Sequence, residues 1–292
     1  MTDGWLRVDK PVGPTSHDAI ARIRRRLGIR RVGHTGTLDP PASGLLLVLV
    51  GRATRLARFA PATPKRYSGR LRLGLETTTD DLTGEPVSRH EGTLPDSDAV
   101  RAAASTFVGD LRQVPPAVSA VKIGGRRLYR SAREGRPVEA PPRSVRVLRW
   151  DLEPGPEPAL WDFEAEVSSG TYLRALARDL GRTLGCGGAL HSLRRTGIGP
   201  LVADGAWDPF SEAPAPPLEP IDELPLTIPD VLVDAEQIAR FLQGVAVPLP
   251  DEGPPAGANA AARDSAGRLL GIGAIEADRL RPRVVLAGEP GA

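Results

Sequence analysis

Cysteine is almost missing from this chain of 292 residues; Cys186 stands alone. A lone thiol excludes an intrachain disulfide and a cysteine-based metal cluster. Histidine is nearly as scarce. His17, His34, His90 and His191 are scattered without metal-ligand spacing, so no metal is expected. Long apolar runs are lacking too. "LLLVLV" (Leu45–Val50) is strand-sized, so no membrane partner is expected. The N-terminal "MTDGWLRVDK" has no apolar signal segment, and the expected location is the cytoplasm. Lysine is the last scarcity. Only Lys10, Lys65 and Lys122 stand among 38 basic residues; the rest are arginine. An ammonium is a compact point charge that arginine replaces poorly in a tight site. The three lysines sit in "VDKPVGPTS", "TPKRYSG" and "VSAVKIGGRRLY", which marks them as placed groups.

The net charge of +2 hides a pattern. Residues 1–75 hold 15 Lys/Arg against 4 Asp/Glu, and residues 111–150 hold 10 against 2. The stretches after each are acidic. Two basic segments suit a surface that faces a polyanion. The competing reading is an evenly mixed solvated surface, because segments distant in sequence need not meet.

Periodicity divides the chain. "WLRVD" alternates like a strand. Ser16, with Asp18 in the first turn, opens a helix that Gly28 closes. Leu45–Val50 reads as a buried strand. Tyr67, Gly69, Leu71, Leu73 and Leu75 share one face of a half-buried strand. Asp96 or Ser97 caps a helix to about Phe107. "VPPAVSAVKIGGRRLY" reads as a strand broken at Gly124–Gly125, then a short helix through Glu134. "VRVLRWDLE" and "ALWDFEAEVSS" form an antiparallel pair. Ser169, Gly170 and Thr171 start a helix with an apolar stripe, and "HSLRRTGIGPL" is strand-like. Strands and helices mix without a regular βαβ rhythm, so the fold class is α+β. The Pro-rich, acidic segment 208–230 reads as a connector. The expected domains are 1–228 and a small C-terminal module, 229–292.

One carboxylate stands out. Asp39 is the only acid in "RRVGHTGTLDPPASGLLLVLVG". It lies in a Gly/Pro-framed loop anchored on the buried strand. Glycines let a backbone approach a substrate closely, and a carboxylate can act as nucleophile or base. A plain turn cap is the alternative. Tyr67 and Tyr172, beside basic residues, suit base stacking or ordinary core packing. Arg174, in the first turn of an apolar helix, wants a carboxylate partner, or else snorkels to solvent.

The ordered set "LRVDKPVGPTSHD", "RVGHTGTLDPPASGLLLVLVGRATR", "KRYSGRLRLG", "PPAVSAVKIGGRRLYRSAREG" and "SSGTYLRALARDLGRTLGCGGALHSLRRTGIG" resembles the bacterial tRNA pseudouridine-55 synthase (TruB) family. The resemblance is strong over about residues 4–200 and loose in the tail. It implies a catalytic domain with a mixed, mainly antiparallel sheet flanked by helices and loops, plus a β-rich PUA-like module. It implies isomerisation of one uridine in the tRNA T-loop, after base flipping, with no cofactor. Asp39 matches the essential aspartate, a nucleophile at C1′ or C6. Tyr67 matches the site tyrosine against the flipped uracil, and Arg174 the arginine paired with the aspartate. Tyr172 and Leu193 match residues lining the uracil pocket. His34 matches the histidine that enters the T-loop. Lys10 is implied as a structural or substrate-side contact, and Lys122 as lying near RNA phosphate. The partner implied is the tRNA T-arm stem-loop, bound by a monomer. The chain departs from the family at Thr78, a usual Asp position; Asp80 or Asp81 is the expected substitute.

Two other functions compete: a tRNA-folding factor without chemistry, and a glycoside hydrolase-like enzyme. The first has no need of the Asp39, Tyr67 and Arg174 set. The second usually needs two flanking acids, and the motifs mark only one.

Overall fold

A computed structural model describes residues 3–118, 140–250 and 253–286, with the backbone of the short pair Lys122–Ile123 and Arg126–Arg127. The expected break at Gly124–Gly125, the short helix through Glu134 and the Lys122 side chain lie outside the described residues.

The chain opens with β1 (Gly4–Lys10) and α1 (Ser16–Leu27). The cap of α1 is Thr15, one residue before the expected Ser16. Thr15 Oγ1 accepts from the Asp18 N–H, and the Asp18 carboxylate accepts from the Thr15 N–H. That reciprocal pair satisfies two of the helix's free donors. Ser16 is thereby released to bond elsewhere. Gly28 closes the helix in the left-handed conformation. Then follow β2 (Val32–His34), β3 (Ala42–Val50), β4 (Lys65–Leu73), β5 (Leu75–Thr77) and β6 (Pro86–Arg89). Next come α2 (Ser97–Ser105), capped by Asp96, and β7 (Gly109–Gln113). After the short pair β8 (Lys122–Ile123) and β9 (Arg126–Arg127) come β10 (Arg143–Pro154), β11 (Leu160–Val167), α3 (Leu173–Thr183), β12 (Gly188–Ile198) and β13 (Leu201–Val202).

One nine-stranded sheet carries the larger part, in the order β1-β3-β12-β4-β11-β10-β7, with β2 on β3 and β13 on β12. Its neighbours are antiparallel except the β3–β12 pair, which is parallel. That pairing needs Gly44. Its φ is +104, and an added Cβ would lie 2.3 Å from the Arg195 carbonyl oxygen. The apolar run of β3 has a two-sided explanation. Leu46, Val48 and Val50 enter one core, while Leu45, Leu47 and Leu49 enter a second. A strand buried on both faces carries no polar alternation.

The second part is a five-stranded sheet, β14 (Asp230–Leu232), β15 (Val247–Pro248), β16 (Asn259–Arg263), β17 (Leu269–Glu276) and β18 (Arg279–Val285), with α4 (Ala235–Leu242). It shares the second core: Ile272, Val284 and Leu286 pack in one cluster with Trp5, Leu47 and Leu56. The segment read as a connector is fastened down along its length. Trp5 and Glu219 exchange backbone hydrogen bonds, and Trp207 bonds Arg7 and Asp9, so the segment covers the free edge of β1. Arg26 donates to the Pro209, Ser211 and Ala213 carbonyls and stacks on Trp207.

Candidate active site

Asp39 sits in the loop between β2 and β3, and three buried groups hold that loop. The Ser16 hydroxyl donates to the Leu38 carbonyl at 3.1 Å and accepts from the Leu38 N–H at 2.9 Å. Lys10 is completely buried. Its ammonium donates to the Pro11 and Pro14 carbonyls at 2.8 Å each and reaches the Pro40 carbonyl at 3.5 Å. Burial pushes Lys10 down to about 8, against the pull of Asp39. Between the two roles the resemblance left open for Lys10, this geometry is the structural one. Arg195, also completely buried, donates to the carbonyls of Leu45, Thr37 and Gly36. Burial lowers its pKa, and the adjacent Tyr67 hydroxyl opposes that.

α3 brings Arg174 to the loop from far along the chain. Arg174 Nη2 donates to Asp39 Oδ2 at 2.7 Å. The arginine side chain is 7% exposed and the aspartate 44%, so the pair is rooted in protein and open at its acidic end. Arg174 further donates to the Thr79 and Val118 carbonyls and lies 3.6 Å from the buried Asp81 carboxylate. The acid beside Arg174 is thus Asp81, not a residue at position 78. Thr78 serves its turn by accepting from the Glu85 N–H. Asp80 pairs with Arg178 at 2.9 Å, and burial raises its pKa despite that arginine.

Asp39, Tyr67, Tyr172, Arg174 and Leu193 line one cleft of about 300 Å³, with Lys65 and Arg143. Tyr67 is 8% exposed. The Arg143 guanidinium stacks over the Tyr172 ring at 4.4 Å. Gln113 clamps the Tyr172 backbone on both sides, donating to its carbonyl and accepting from its N–H. His34 stands just outside, at the end of β2, one residue before the cleft wall at Thr35. Its ring meets His17 edge-on at 5.9 Å, and its buried Nδ1 has no partner among the described residues. Burial holds it below the usual histidine range. A larger open hollow, about 960 Å³, shares only Leu193 with this cleft. It lies on the other face of β4, since Ser68 and Arg70 line it while Lys65 and Tyr67 line the cleft. Four acids of β10 and β11 line it together with Arg70, Arg149 and Arg194.

The structure therefore brings Asp39, Tyr67, Arg174, Tyr172 and Leu193 together, sets His34 at the margin and withdraws Lys10 beneath the loop. Sequence reasoning overlooked Arg195, Arg143 and Gln113. Arg195 carried no distinguishing signal among so many arginines.

Residues 24–173 match the family described as TruB family pseudouridylate synthase (N terminal domain), and residues 229–286 match Pseudouridine synthase II TruB, C-terminal. A Synechococcus sp. protein named tRNA pseudouridine synthase B is 44% identical over 301 residues, covering 98% of this chain and 99% of its own. The Thermobifida fusca protein of the same name is 42% identical over 296 residues, covering 99% and 100%. Among solved structures, one of a Cbf5-Nop10-Gar1 complex is similar with TM-score 0.69 at 26% identity, over 94% of this chain and 79% of that one.

Proposed function

This chain belongs to the TruB pseudouridylate synthase family, an isomerase family, and from that premise we propose that it converts the uridine at position 55 of the tRNA T-loop into pseudouridine, with Asp39 as nucleophile. The observation that carries the reading is the Asp39–Arg174 pair: a half-exposed carboxylate on a buried guanidinium, at the mouth of a cleft walled by Tyr67, Tyr172 and Leu193. A stacked base is out of reach of such a cleft, so the target nucleotide flips out. His34, neutral and at the margin, enters the T-loop in its place. The C-terminal module, residues 229–292, is a PUA-like unit that adds RNA-binding surface.

The chemistry is redox-neutral. Asp39 attacks the nucleoside, at C1′ or at C6. The N1–C1′ bond breaks and its electron pair stays with the uracil. The ring turns, C5 bonds to C1′, the bond to Asp39 breaks and frees its carboxylate, and the proton lost from C5 is balanced by one gained at N1, with Tyr67 placed to take part in that transfer. Arg174 holds the carboxylate in line throughout, a positioning role that supplies much of a catalyst's advantage. The ring oxygens become negative on either route.

The test is direct. The protein is incubated with an unmodified tRNA transcript, and pseudouridine is mapped by position. Conversion at position 55 alone is expected. Modification elsewhere would refute the T-loop assignment.

A further inference from the structure

Lys65 is a half-buried cation that the site geometry leaves unused. It lies two residues before Tyr67 on β4, so both side chains leave the same face of the strand and line the Asp39 cleft. Its ammonium lies under the Asp39 loop. A methyl group added at Gly36 would meet Lys65 Nζ at 3.6 Å and Arg195 Nη1 at 3.7 Å. Arg195 is engaged by three carbonyls, and Lys10 is held by its own. Lys65 has no such cage among the described residues. Burial and the Arg195 charge push it down to about 8, and no carboxylate among the described residues offsets them.

A partly desolvated cation with no partner among the described residues is costly. It is useful where negative charge appears during the reaction, because a fixed charge in a water-poor site needs no reorganisation. The isomerisation makes such a charge. When N1–C1′ breaks, the electron pair spreads over N1 and the two carbonyl oxygens of uracil. Addition of Asp39 at C6 also sends charge to a ring oxygen. We infer that Lys65 is a catalytic residue that hydrogen-bonds a carbonyl oxygen of the flipped uracil and holds the ring's negative charge while it is detached from the ribose. No proton leaves the ammonium. The pair returns to form C5–C1′, and the proton that departs from C5 is balanced by one gained at N1. The inference rests on the reading of this cleft as the uracil site.

The experiment compares wild type, Lys65→Met, Lys65→Gln and Asp39→Asn on two tRNA transcripts. One carries uridine at the target and the other 5-fluorouridine, whose fluorine stabilises the detached anion. Loss of the starting nucleoside is followed, with tRNA binding and circular dichroism as checks on folding. Lys65→Met is expected to lower kcat on uridine by about 10²–10³-fold, the usual cost of one charge-stabilising donor, with KM within about threefold. Lys65→Gln, a neutral donor, falls between. On 5-fluorouridine the Met deficit shrinks at least about tenfold, because the leaving group needs less help. Three outcomes overturn the inference: an unchanged kcat, a raised KM with kcat retained, or equal deficits on both substrates. The first denies any role, the second puts Lys65 on the RNA backbone, and the third leaves only a structural one. If Asp39→Asn is inactive while Lys65→Met is fully active, Lys65 alone falls. If wild type makes no pseudouridine, the reading of the cleft falls with it.

Discussion

Replacing Asp39 with Asn removes a charge and keeps the side-chain shape. Arg174 retains Asp81 and the Thr79 and Val118 carbonyls as partners, so no buried guanidinium is stranded. The variant is expected to fold, to bind tRNA within about threefold of wild type and to lose pseudouridine formation by at least about 10³-fold. Filter binding beside a single-turnover assay checks this, and retained turnover would remove Asp39 as nucleophile. Lys65 invites a thermodynamic test. Its folded-state pKa, about 8, lies below the ordinary 10.5. Between those values the unfolded chain binds more protons, so this group's contribution to stability rises with pH across that window. Below pH 8 the half-buried charge is a cost that no described carboxylate offsets. Lys65→Met is therefore expected to melt about 1–2 °C above wild type at pH 7, the effect of about 1 kcal/mol in a chain of this size. The difference should fade towards pH 10.5. A lower melting temperature at pH 7 would mean that Lys65 supports the fold.

Single elements aim these residues. The capping box at Thr15 leaves Ser16 free to face the core, where its hydroxyl closes both backbone bonds of Leu38. Ser16→Ala strands a buried N–H and C=O next to Asp39, each costing about 1–3 kcal/mol when unpaired. Urea denaturation should show that loss, and kcat should fall with KM nearly kept, since the loop that aims the carboxylate loosens. A variant with reduced stability and full kcat would show that the Asp39 loop is held by Lys10 and Arg195 alone. Much of the element plan was legible beforehand. Alternation marked β1 and β4, and an uncharged apolar run marked β3. The α1 cap was misplaced by one residue because Thr15 and Ser16 are both good caps, and only the Leu38 contact decides between them.

At the scale of the molecule, the C-terminal sheet is joined to the catalytic part by a common core. Ile272, Val284 and Leu286 cover Leu47 and Leu56, and Arg52 and Arg55 reach the Leu286 and Val285 carbonyls. Calorimetry is expected to show one cooperative transition for the whole chain, with a chain cut after residue 228 melting well below it. Two separable transitions, or an unchanged melting temperature on truncation, would show independent units. The charge pattern needs the same tertiary view. Residues 1–75 are rich in arginine, yet Arg22 and Arg26 hold the 209–213 segment, so the basic count overstates the surface left for RNA.

By itself the sequence determined most element types, the family likeness and the candidate site residues, because those depend on local periodicity, turn residues and contiguous motifs. It named Asp39 and Arg174, and it marked Lys10 and Lys65 as placed lysines. Only the tertiary structure decided which of those groups face the cleft and which lie under it. Lys10 and Lys65 are alike in sequence, each a lone lysine beside proline. Three backbone carbonyls close around one, while the other lines the cleft with Tyr67. The partner of Arg174 follows the same rule. Asp81 stands beside it and Thr78 does not, because the turn from Thr77 to Gly84 sets which side chain points inward. Such choices rest on contacts between segments far apart in the chain, where burial and the pairing of charges decide, and no local pattern encodes them.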